Sequence, residues 1–307
     1  MSLDTLLNPF EFYTIPLDDW INAAVDFLVE NFRPLFQAIS IPISWVLETI
    51  QSALLAVPPL VLLVLIGLAA WQLAGWRIGL GSLLALMGIG FVGAWEQALV
   101  SLSLVLTALI VCILLGIPLG VACASSDRIE SVARPILDTM QTVPTFVYLV
   151  PVVMLFGIGD VPGVIATITY ALPPLIRLTN LGIRQVPEEV VEAAIAFGST
   201  PRQVLWEAKL PLALPTILAG VNQTVLFALG MSVITAMIAV PGLGLMVLQG
   251  VGRLDVGLAA VGGLGIVVLA IILDRITQAV GKGQKTPWRE RGPIGLVLSR
   301  FTGKVTT

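Results

Sequence analysis

Gln141 and Thr142, and further along Asn222, Gln223 and Thr224, are polar residues set inside long apolar runs. None is ionisable, so they can donate and accept hydrogen bonds but neither relay protons nor hold charge. In hydrocarbon such groups are costly unless they face a bundle interior or a wet cavity. They are therefore candidates to line a translocation path, or to bond one helix to another. Histidine is absent, which removes the commonest metal ligand and catalytic base; no catalytic residue and no metal site are expected. Cys112 and Cys123 share one apolar run. As a helix that run holds their Cα atoms about 16 Å apart, beyond the roughly 7 Å a disulfide allows, so both read as small packing residues. Gly281-Lys282-Gly283-Gln284-Lys285-Thr286 has the letters of a phosphate-binding loop in the wrong spacing and follows no strand. It reads as a basic tail, and no nucleotide cofactor is expected on this chain.

A second group of signals lies between apolar runs, in residues 182–214. Pro187 followed by Glu188 and Glu189 suits the first turn of a helix, where a missing N–H costs nothing and acids favour the dipole. Gly198 ends that helix. Thr200-Pro201-Arg202-Gln203 reads as a capping box opening a second one, which Pro211 closes. Val190, Ala194 and Phe197 share one face, and Val204, Leu205 and Ala208 another. An apolar face held in water either seeks a partner or folds back on its own helix ends.

The elements that must position these residues follow from composition. The 307 residues are 57% hydrophobic and 11% charged, with mean hydropathy +0.99, against roughly 25% charged in a soluble domain. Unbroken apolar runs select helices over alternating barrel strands, so the fold class is an all-α polytopic membrane protein. Seven stretches approach the required length of about 20 residues: 57–75, 78–93, 97–122, 140–159, 162–181, 215–240 and 258–274. The second is short and glycine-rich, with a re-entrant or interfacial segment as its competitor. With the C-terminus cytoplasmic, 14 of the 16 basic residues fall inside and only Arg33 and Arg253 outside, as the positive-inside bias demands. That places the N-terminus outside.

Residues 1–56 carry Asp4, Glu11, Asp18, Asp19, Asp26, Glu30 and Glu48 against Arg33 and read as an extracytoplasmic, interfacial amphipathic segment rather than a span. Pro34 and Pro42 are expected to kink or break it. No basic start leads into an apolar run, so a cleaved signal peptide is not expected. Residues 57–275 form the transmembrane domain and 276–307 a cytoplasmic basic tail. Pro118, Pro144, Pro151, Pro173, Pro174, Gly230, Gly262, Gly263 and Gly265 sit within spans, suiting either close packing or a moving bundle.

Glu192-Ala193-Ala194, then Gly198, then Leu210-Pro211 resembles the E-A-A…G…L-P signature of permease subunits of ATP-binding-cassette importers. Longer runs, Phe146 to Asp160, Ala171-Leu172-Pro173-Pro174 and Gly220 to Thr224 among them, resemble the glycine betaine/proline betaine permeases of the binding-protein-dependent type I importers over nearly the whole chain. Ala208 departs from the signature, where an isoleucine is usual. The resemblance implies that Glu192, Ala193, Ala194, Gly198, Thr200, Pro201 and Arg202 belong to a coupling helix seated in a cytoplasmic ATPase. It implies a second copy of the chain, two ATPase subunits that bind ATP and magnesium, and an extracytoplasmic binding protein that delivers the solute. For a zwitterionic solute the path should be weakly polar and uncharged, and Arg177, at the inner end of its span, is expected to snorkel rather than bind. A passive osmotic channel, a permease for choline or carnitine, and a structural or sensory membrane anchor are the competing readings.

Overall fold

A computed structural model describes residues 16–281 and the pair 292–293, and among these every regular element is helical. The elements are α1 Leu17–Ala56, α2 Pro59–Ala74, α3 Trp76–Phe91, α4 Trp95–Ser125, α5 Asp127–Thr142, α6 Leu149–Phe156, α7 Asp160–Arg184, α8 Glu188–Ala196, α9 Pro201–Gln203, α10 Leu210–Thr235, α11 Leu243–Gly252 and α12 Val256–Gly281. Most of the basic tail and the first fifteen residues, with Asp4 and Glu11, lie outside the described residues.

The centre of the bundle is α7, flanked by α4 and α10. Small residues allow this approach: a Cβ on Gly120 of α4 would come within 2.5 Å of Thr179 Cβ on α7. Both cysteines are reduced and buried on α4, in the packing role their spacing implies. α11 and α12 form a hairpin against α10, α2 and α3 form another, and α1 runs along α4 and α6.

Five helices are long and apolar enough to cross a membrane: α1, α4, α7, the continuous rod from Pro201 to Ile238, and α12. The bent pair of Asp127–Thr142 and Thr145–Phe156 makes a sixth only when the two are counted as one span. Three expectations change. The window 140–159 is not one helix. α5 ends at Thr142, Val143 and Pro144 are extended, and a 3-10 turn (Thr145–Tyr148) with α6 departs at 105°; a residue preceding proline resists helical geometry. The stretches 57–75 and 78–93 become helices of 16 residues each, about 24 Å long, short of a 30 Å hydrocarbon core. Finally, α1 is a single 40-residue helix that runs through Pro34 and Pro42 without a break. Of its residues only Ile43 and Leu47 are buried, and the ring of Phe36 meets that of Phe156 of α6 at 5.3 Å.

α5 is the charged exception. Asp127, Glu130, Arg134 and Asp138 occupy its polar side while Ile129, Val132 and Ile136 are exposed on the other. That pattern places it along an interface rather than through hydrocarbon.

Candidate functional site

At one end of the bundle a two-helix knob stands clear of the helices that carry it. Val186 and Pro187 leave α7, and α8 begins with Glu188 and Glu189 in its first turn. The helix ends in a Schellman motif: Gly198 N–H donates to Ile195 O at 2.9 Å and Ser199 N–H to Ala194 O at 3.0 Å. Gly198 adopts φ +87°, the left-handed conformation that glycine enters without a Cβ penalty. The capping box is present in full. Gln203 N–H donates to Thr200 Oγ1, and Thr200 N–H donates to Gln203 Oε1 at 2.8 Å.

Pro211 does not close this second helix. Residues Val204–Lys209 widen into a π-helical turn in which Leu210 N–H reaches back to Leu205 O, and α10 continues unbroken through Pro211 and Pro215. The wider turn accommodates the proline ring, which an α-turn would push against the carbonyl four residues earlier. The knob therefore continues directly into α10, with no flexible linker between them.

Of the two apolar faces read from sequence, Val204 is buried and Leu205 half-buried beneath the knob, whereas Val190 and Phe197 are exposed. Phe197 is 92% exposed and Trp206, on the opposite helix, 68%. Trp206 is not among the residues singled out from the sequence; an aromatic beside Glu207 and Lys209, directly after the capping box, is the signal that marks it. Glu192, Ala193, Gly198, Thr200, Pro201 and Arg202 are also exposed, and Ala194 is half-buried. A cavity of about 430 Å³, lined by Ser125, Ile183, Val191, Ile195 and Val204, separates the knob from the ends of α4 and α7.

Beside the knob, two arginines of α7 clamp α5. Arg184 Nη2 donates to Asp127 Oδ1 at 2.7 Å and to Cys123 O at 2.9 Å, lies 3.0 Å from Glu130 Oε2, and its Nε donates to Asn180 Oδ1 at 2.9 Å. Arg177, one heptad earlier, donates to Asp138 at 2.6 Å, so it pairs across helices instead of snorkelling alone. Arg134 donates to Glu130 at 2.8 Å. That bond, with Arg184 and Asn180 nearby, outweighs desolvation and holds the Glu130 carboxyl below its usual range.

The five polar path candidates do not share one surface role. Gln141 is half-buried and Thr142 exposed at the α5–α6 bend. Thr224 is fully buried and donates to Ala171 O of α7 at 3.1 Å, a helix-to-helix bond. Asn222 bonds Asp274 and Thr277 of α12. Gln223 alone of the α10 triplet is exposed, on the rim of a groove of about 560 Å³.

The polytopic helical bundle, with an exposed two-helix knob fused to one of its rods, is by family a membrane transport subunit. The chain belongs to the family of binding-protein-dependent transport system inner membrane components, which matches residues 116–286, and it is a multi-pass inner-membrane protein. Over 300 residues it is 54% identical to the glycine betaine/proline betaine transport system permease protein ProW of Escherichia coli (strain K12), covering 96% of this chain and 85% of that protein. It is 44% identical over 277 residues to the glycine betaine/carnitine transport permease protein GbuB of Listeria monocytogenes serotype 1/2a (strain 10403S), covering 89% and 98%. Among solved structures, an inward facing conformation of the MetNI methionine ABC transporter aligns with TM-score 0.54 at 22% identity, over 63% of this chain and 97% of that one; the likeness is one of fold.

Proposed function

We propose that this chain is the permease subunit of an ATP-driven, binding-protein-dependent importer of a compatible solute, glycine betaine or proline betaine. The observation that carries the reading is the 54% identity, over almost the whole chain, to permeases of that solute class. In this reading the knob faces the cytoplasm, the C-terminus is cytoplasmic and the N-terminus outside, following the distribution of basic residues. Two copies of the chain enclose the path. Two ATPase subunits bind ATP and magnesium and grip Phe197, Trp206 and the Glu192–Arg202 surface, and an extracytoplasmic binding protein delivers the solute. ATP binding favours the closed ATPase pair and tilts α10 through its rigid junction with the knob, shifting the bundle from inward-facing to outward-facing. Hydrolysis resets it.

The test is reconstitution in proteoliposomes with the cognate ATPase and binding protein and uptake of labelled glycine betaine. ATP-dependent accumulation is the expected result. Uptake that persists without the ATPase subunits would establish a passive channel instead, and a knob mapped to the outer side of the membrane would rule out the coupling role.

A further inference from the structure

At the level of the α5–α6 bend, aromatic rings from three elements converge. Tyr170 of α7 and Phe227 of α10 meet with ring centroids 5.3 Å apart and planes tilted by 60°. The 3-10 turn that carries Tyr148 packs against α10, and Leu149, the next residue, belongs to the apolar cluster against which Tyr170 packs. All three rings are half-buried, while Gln223 and Gly230, one turn to either side of Phe227 on the same face of α10, are open. The Tyr148 hydroxyl is committed to Met140 O at 2.6 Å; the Tyr170 hydroxyl makes no hydrogen bond among the described residues, which leaves it free to donate.

Two further features make this region attractive to a cation without making it charged. Pro173 and Pro174 have no N–H, so the carbonyls of Thr169 and Tyr170 lack the amide donor that α-helical geometry would supply four residues on. The stretches 139–159, 161–176 and 210–252 contain no charged residue. A small organic cation crossing here meets no counter-ion on these stretches, the Asp274 carboxylate of α12 being engaged by Asn222 and Gln278, and is left with aromatic faces, which suit quaternary ammonium groups.

We propose that Tyr170 and Phe227, with Tyr148 beside them, form a cation–π station that holds the quaternary ammonium of the solute in transit, while the Tyr170 hydroxyl and the Gln223 amide donate to its carboxylate. This rests on the betaine reading above. A neutral station of this kind binds both ends of a zwitterion weakly, and weak binding permits release.

The experiment places phenylalanines of increasing ring fluorination at position 227 by nonsense suppression, in the complete transporter in proteoliposomes, and follows uptake of labelled glycine betaine. Fluorination drains the ring of π-electron density with little change in volume. Uptake at subsaturating solute should fall stepwise with each fluorine, to about five- to tenfold below the parent. Phe227→Leu and Tyr170→Leu should lie at the bottom of that range, with Tyr170→Phe above Tyr170→Leu. Uptake independent of fluorination, or equal for Tyr170→Phe and Tyr170→Leu, would overturn the station. If the unsubstituted transporter moves no glycine betaine, the solute assignment fails instead, and the two failures are distinct.

Discussion

The side-chain amide of Asn222 on α10 donates to Asp274 on α12 at 2.9 Å, and Gln278 donates to the same carboxylate oxygen at 2.7 Å. Thr277 closes the cluster by donating to Asn222. The rod that grows from the knob is thereby bonded to the last helix of the bundle, so a tilt of α10 carries α12 with it. Asp274→Ala strands two half-buried amide donors and should cost about 1–3 kcal/mol, read as a lower melting temperature in detergent. Asp274→Asn keeps an acceptor oxygen in place and should melt close to the parent. Equal melting of the alanine variant and the parent would show that the bond is not needed to join the helices.

Gly198 offers a test of the knob that leaves packing untouched, because a Cβ built there meets nothing within 4 Å. Gly198→Ala should cost about 1 kcal/mol, the penalty of a left-handed conformation, and keep uptake. Gly198→Asp adds a charge to a surface that includes Phe197, and should abolish coupling of ATP hydrolysis to uptake while the protein still inserts. Normal uptake in that variant would count against docking at this surface.

The knob was legible in the sequence because its punctuation is local. Pro187, Gly198 and the Thr200/Gln203 pair each act within one turn of themselves, and each does in the fold what its chemistry dictates. Pro211 misled for a tertiary reason: a π-helical turn preceding it removes the clash that would have ended the helix. The window 140–159 misled because hydropathy averages across a bend, whereas the sign of the bend, Val143 before Pro144, is a single peptide. Asn222 and Thr224 stand two residues apart, yet one turns to α12 and the other to α7. Only the neighbours of α10 decide which polar residue remains open, and no pattern within α10 records them. The α5 clamp was half-visible, since Arg177 and Arg184 share a face at a spacing of seven, but their acids lie on a helix that composition alone leaves as a loop.

Glu130 gives that clamp a pH signature. Its folded pKa lies below its unfolded value because Arg134, and behind it Arg184 and Asn180, favour the carboxylate. The stabilisation is complete above the ordinary glutamate range, near 4.5, and is lost as pH falls through the depressed folded value. Melting temperatures of the parent and of Glu130→Gln, taken from pH 7 downward in detergent, should therefore differ by a constant amount until about pH 4.5 and converge below it. A difference that persists undiminished in acid would show that the carboxylate's charge is not what ties α5 to α7.

Two glycines should respond to alanine with opposite signs. Gly244 of α11 lies directly on the backbone of α10, where an added Cβ would fall on the Ser232 carbonyl. Backbone cannot step aside as a side chain can, so Gly244→Ala should destabilise by about 2–3 kcal/mol and loosen the α11–α12 hairpin from the bundle. Gly263 of α12 faces open space in the single chain, where Gly263→Ala removes only the entropic cost of a mid-helix glycine and should stabilise by up to about 1 kcal/mol. Melting of the two purified variants beside the parent checks both. Should Gly263→Ala destabilise the assembled protein but not the dissociated chain, another helix packs on that face, and cross-linking from position 263 would identify whether it belongs to a second copy.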